Sequence, residues 1–193
     1  MSFIPKDYGD ALKGGSRPFL EPRHIKADGQ LRFAMLANEP FCYFQCWGED
    51  AASNPMPFRF AHEATPEEIE ESMGDNYTRR LEKNGDVQPL KFTISIPIYN
   101  YETSRVEIFS MNQKNLIKEF DQISQVEEYI DMTEWDFIVT KSATVSPDMY
   151  GLRPVPRKPE LKEKIEASWS SAQKTGFDIT RMLVNGNPFK PET

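Results

Sequence analysis

Cysteine and histidine are nearly missing from this chain, with two of each among 193 residues. Two cysteines build no disulfide framework, and two imidazoles leave little material for a metal centre or a nucleophile–histidine pair. No apolar run approaches the length of a membrane span, and residues 1–15 are polar, with Lys6, Asp7, Asp10 and Lys13, so neither a span nor a secretory leader is expected. Phosphate-loop, nucleophile-elbow and HExxH patterns are absent too; Gly14-Gly15-Ser16 lacks the spacing of any of them. The expectation is a cytoplasmic, non-catalytic protein that uses no cofactor. A surplus of basic residues is also lacking. The net charge of −7 excludes a protein that coats nucleic acid with its whole surface, but it leaves room for a local basic groove.

The chain does have core-forming material, at 38% hydrophobic residues, enough for one domain with appendages. Its charge is unevenly spread. Residues 61–89 carry eight acids against three bases, and residues 113–134 six against two, whereas residues 135–165 carry six bases against four acids. The negative surplus thus falls on two patches read as helix or loop, leaving the strand-rich parts neutral or positive.

Apolar alternation places strands at 31–36, 41–47 and 58–60, a strong one at 90–101, and others at 105–111, 135–142 and 150–155. The 90–101 and 105–111 pair reads as a hairpin, with Pro97 suggesting a bulge or a sheet edge. Thr65-Pro66-Glu67-Glu68 opens a helix that Gly74 ends, and Leu116, Ile117 and Phe120 mark a second helix through Ile123. A third follows at 160–174, with Leu161, Ile165 and Trp169 as its stripe, and a short one at 177–184. The expected organisation is an arm at 1–16, a barrel domain at 17–158 with an acidic insertion at 61–89, a helical extension at 159–184 and a tail at 185–193. Five strands with a helix between the third and fourth is the element order of the OB-fold, a mainly β Greek-key barrel that binds oligonucleotides.

The runs FTISIPIYNY (92–101), VEIFSM (106–111), WDFIVTK (135–141) and LRPVPR (152–157), in that order around a helix, resemble phage-type single-stranded-DNA-binding (helix-destabilising) proteins. The resemblance extends over about residues 17–160. It implies an OB-like barrel acting in DNA replication or recombination, with single-stranded DNA, and replication proteins, as its partners. The chain departs from that pattern in one loop, where relatives often carry a Gly-rich stretch and this chain reads ATVSPDM (143–149), and at 187–193, where some relatives carry an acidic tail that recruits replication partners and this chain reads NPFKPET, so recruitment through a tail is not carried over.

Single-strand binding calls for cations that track phosphates and flat side chains that stack on bases. On the solvent face of the hairpin the candidates are Lys91, Tyr99 and Arg105, with Tyr101 at its tip and Phe109 on the outward-facing set. Lys141, Tyr150, Arg153 and Arg157, near the last strand pair, would form the opposite wall. The competing reading packs Tyr99 and Phe109 under the acidic insertion and leaves the cations as solvated surface. Trp135 and Trp169 are assigned to packing, and none of the three tryptophans, Trp47 included, is counted in the site. Cys42 and Cys46 lie four apart on one strand face, about 13 Å from each other at the usual rise, too far for a disulfide or shared zinc. Glu67, Glu68, Glu70 and Glu71 read as a solvated helix face. Two further functions stand behind DNA binding: a protein-interaction or assembly module on the same barrel, with the terminal arms as candidates for self-association, and, last, a metal-dependent nuclease.

Overall fold

The computed structural model describes residues 18–190; the expected arm at 1–16 and the last residues of the tail lie outside it. The described residues form a mixed α/β structure built on one nine-stranded sheet. Its strands are β1 (Phe19–Leu20), β2 (Gly29–Met35), β3 (Phe41–Glu49), β4 (Pro55–Phe60), β5 (Thr78–Arg79), β6 (Lys91–Asn100), β7 (Arg105–Met111), β8 (Trp135–Lys141) and β9 (Tyr150–Pro156). Three α-helices accompany them: α1 (Pro66–Met73), α2 (Lys114–Ser124) and α3 (Lys162–Lys174). No described helix is long and apolar enough to cross a membrane.

The hairpin β6–β7 is the centre of the sheet, in register from Ile94↔Met111 to Asn100↔Arg105. The other side of β6 is shared, β2 pairing with residues 98–100 and β3 with residues 91–95. Pro97 therefore sits mid-strand, not at an edge. Its carbonyl accepts from the Leu36 N–H where the β2–β3 connection leaves the ladder, so the missing proline N–H forfeits no strand partner.

Along the path β1-β7-β6-β2-β8-β9 the sheet curls without closing into a barrel. The curl shows in the core: Phe33 on β2 lies 5.3 Å, centroid to centroid, from Phe109 on β7, two strands away and so about 10 Å distant in a flat sheet. Closure is pre-empted on both sides. The outer edge of β7 is taken by β1, running parallel to it, and on β9 the Leu152 N–H is taken by the Glu119 carboxylate of α2.

Even positions of β6 (Ile94, Ile96, Ile98) and odd positions of β7 (Phe109, Met111) point inward with Phe33, Met35, Phe137 and Val139, and α2 seals them with Leu116 and Phe120. Each such buried Phe or Ile contributes about 1.5–3 kcal/mol. The opposite face is covered as well. α3 brings Ile165 onto Ala34, Leu36 and Tyr99, and the 3-10 turn at Ile179–Val184 brings Met182 onto Tyr43 and Ile108. The C-terminal extension is thus a second layer of the domain, covering the apolar outward residues Tyr99 of β6 and Ile108 of β7.

The acidic insertion completes an annex on the distal half of β3, where Cys46, Phe58, Ile69 and Met73 pack together. A Cβ at Gly48 would lie 2.8 Å from the Phe58 ring, so only glycine lets β4 and α1 close on β3 there. A capping box starts α1: the Glu68 N–H donates to Thr65 Oγ1 and the Thr65 N–H to Glu68 Oε2. Gly74 stops it at φ 55°. Thr65→Ala is expected to cost about 0.5–2 kcal/mol, read as a lower thermal midpoint with faster amide exchange confined to the annex.

Candidate nucleic-acid interface

Two expected stacking platforms are not available. Tyr99 is 2% exposed beneath α3, and Phe109 is 0% exposed against Phe33. The outward position of Tyr99 is solvent-free because the extension covers it, and Phe109 belongs to the inward set. Tyr101 and Arg157 are spent on structure. The Tyr101 hydroxyl donates to Asp136 Oδ1 at 2.8 Å, and burial together with that carboxylate pushes its phenol well above the ordinary range. Arg157 pairs with Asp136 Oδ1 at 3.2 Å and donates to the Met35 and Trp135 carbonyls. Arg105 is exposed at the far end of the hairpin from Lys91, nine strand steps or about 30 Å away, so the two do not line one groove.

The supposed opposite wall disperses. Arg153 is exposed on β9, at the other end of the sheet path. Tyr150 packs partly buried on the core, and burial raises its phenol. The Lys141 ammonium, 5.9 Å from the Tyr150 ring centroid, donates to the Arg23 and Ile25 carbonyls. It thereby fixes the turn that carries Arg23.

Of the expected set, Lys91 lies with Arg23, Arg59 and Arg80 in a cleft on the outer face of β3, β4 and β6. Strand register puts Arg59, Gln45 and Lys91 side by side in one row, since Gln45 faces Arg59 across β4 and Lys91 across β6. The next positions on the same face of β3 are Tyr43 and Trp47. With Phe19, Arg23, Arg80, Pro89 and the Asn112-Gln113 segment these residues bound a cavity of about 500 Å³. Among the described residues, four cations (Arg23, Arg59, Arg80, Lys91) meet a single lining acid, Glu21.

The Arg59 guanidinium marks the floor. Its nitrogens donate to Gln45 Oε1 at 2.9 Å, the Met182 carbonyl at 3.0 Å and Asn185 Oδ1 at 2.7 Å, and it lies 5.9 Å from the Tyr43 ring centroid. All three acceptors are neutral. Burial pulls the guanidinium below its usual range, which is the electrostatic condition an incoming anion relieves. Arg80 and Arg23 pair with Glu49 and Glu21 on the exposed rim, where such pairs exchange cheaply for phosphate. The Lys91 side chain is exposed and has no carboxylate partner among the described residues. Trp47 is partly buried with its indole on the cleft; Tyr43 is buried, its hydroxyl hydrogen-bonded to Ser95 Oγ at 3.0 Å, and serves as floor.

One side of the cleft depends on the turn at Ile179–Val184, capped by Asp178 through the Thr180 N–H and hydroxyl. Those bonds hold the Asp178 carboxyl below the usual range. A depressed folded pKa means that the cap is fully in force above the unfolded value, about 3.9, and is lost as pH falls through the folded one. The protection of the amides of residues 179–184, relative to their intrinsic exchange rates, is therefore expected to fall on acidification below about pH 4 while β6 stays protected.

Sequence reasoning missed Arg59, Arg80, Arg23, Phe19 and Trp47. The alternation at 41–49 already put Tyr43, Gln45 and Trp47 on one face, but only the pairing register brings Arg59 and Lys91 beside them. Comparison with protein-family models, with curated proteins and with solved structures gives no match.

Proposed function

We propose that this protein binds single-stranded DNA with little sequence preference, holding phosphates on the Arg59–Lys91 row and stacking bases on Trp47. The observation that carries the reading is the cleft itself: four cations and an accessible indole gathered on one sheet face of a chain whose net charge is −7. Strand order supports it. Taken as β2/β3, β6, β7, β8 and β9, with α2 between the third and fourth, the strands can be read as an OB-like sheet left open between its third and fifth strands. Replication or recombination is the setting that a strand-trapping, non-catalytic protein of this kind serves.

The reading is tested by intrinsic fluorescence. Oligo(dT) is expected to quench the tryptophan emission of the wild type, with the quench largely gone in Trp47→Phe, because Trp135 packs on Tyr129 and Trp169 on Phe177 away from the cleft. A quench that survives Trp47→Phe, or none in the wild type at low salt, contradicts the assignment.

A further inference from the structure

We infer that the bound strand does not end at the cleft but turns through a notch beside Lys91 into a second, apolar groove on the inner face of the sheet, which takes unstacked bases. This rests on the single-strand reading above and extends it.

The notch follows from register. β6 and β7 pair only from Ile94↔Met111 onward, so Lys91, Phe92 and Thr93 overhang the end of β7 with no partner on that side. The chain leaves β7 through Asn112 and Gln113 toward α2. Pro89, Lys91, Asn112 and Gln113 consequently border both cavities, the outer cleft and the inner groove.

The groove lies between the start of β6 and α2 and has a volume of about 910 Å³. Leu90, Phe92, Ile94, Ile117 and Phe120 make its apolar walls. Phe92 is 41% exposed, set edge-on against Phe44 with ring centroids 5.4 Å apart, so one aromatic surface is already supported from behind. Among the described residues, Lys91, Lys114 and Lys118 stand along the rim against one acid, Asp121. On α2, Lys114 and Lys118 are one turn apart on the same side, exposed, and without an ion-pair partner among the described residues.

Cations in a row above apolar and aromatic walls match a strand whose phosphates stay at the surface while its bases turn inward. The amides of Asn38, Asn112 and Gln113 supply donors and acceptors that fit any base edge. Continuity with the outer cleft through Lys91 favours the same ligand over a separate protein segment, which would need neither the notch nor the shared lysine.

The test is a length series of fluorescein-labelled oligo(dT), from about 4 to about 16 nucleotides, followed by anisotropy at several salt concentrations. Wild type is expected to gain affinity beyond the short oligomers, once the strand reaches past Lys91. Lys114→Glu combined with Lys118→Glu is expected to abolish that gain, about tenfold or more on the longest oligomer. The same double variant should flatten its log–log salt slope by about 1.4, at 0.7 per phosphate, with the shortest oligomer unchanged. Phe92→Ala should reduce long-oligomer affinity without altering the slope, which separates base stacking from charge. All three positions are exposed, and unchanged thermal midpoints of the variants exclude misfolding. A length gain that survives both variants overturns the second groove alone and leaves that groove to a protein partner. No binding at any length overturns the DNA reading and this extension together.

Discussion

Asp136→Ala is expected to destabilise the protein by about 3–5 kcal/mol, the range for removing one member of a buried ion pair. The carboxylate is 0% exposed and accepts from four donors: Arg32 Nε at 3.0 Å and Nη2 at 2.7 Å, Arg157 Nε at 3.2 Å and the Tyr101 hydroxyl at 2.8 Å. These bonds tie β2, β8, the segment after β9 and the hairpin loop into one node. Removing it strands two guanidiniums, of which Arg157 has a side chain only 10% exposed. Asp136→Asn keeps one acceptor oxygen and should lose less. Urea unfolding midpoints check both variants, and a loss below about 1 kcal/mol for alanine would show the node to be dispensable. Tyr101 and Arg157 serve this node, so Tyr101→Phe is expected to lower stability without lowering affinity for DNA.

The largest effect on binding is expected from reversing charge in the cleft. Lys91→Glu with Arg80→Glu should weaken oligo(dT) binding on the order of 100-fold, since a hydrogen bond to a charged group is worth about 1.5–3 kcal/mol and the new carboxylates repel the strand. Both side chains are exposed at the rim, so the fold is kept. Arg105→Glu is the matched control. It lies about 30 Å from Lys91 along the hairpin, several Debye lengths at physiological salt, and should shift affinity less than about twofold. Equal losses in the two variants, read by anisotropy at fixed salt, would place the strand along the whole hairpin instead of in the cleft.

Much of the fold is legible in the sequence because it is local. The β6–β7 hairpin follows from the alternation of Phe92, Ile94, Ile96 and Ile98 and the polar link at 101–104, and α1 from its capping box and Gly74. The extension at 162–184 is legible as helix but not as a sheet cover. Ile165 and Met182 find Tyr99 and Ile108 only through contacts distant in sequence, and outward positions on β6 that look ready for ligand are buried as a result. Pro97 misleads for a similar reason: with Ile96 it occupies the short central stretch where the neighbouring strands hand over. In the site, Lys91 was readable as an outward cation after a turn. Arg59 was not, because its value comes from pairing with Gln45 and from neutral acceptors on a turn more than 120 residues away.

The most direct measurement of the central claim is the affinity for a labelled oligo(dT) of about thirty nucleotides against the matching duplex, at low and at moderate salt. Tight binding that prefers the single strand and weakens steeply with salt is expected, with both properties lost when the Arg80 and Lys91 charges are reversed. Equal affinity for single strand and duplex, or no binding at low salt, would contradict it.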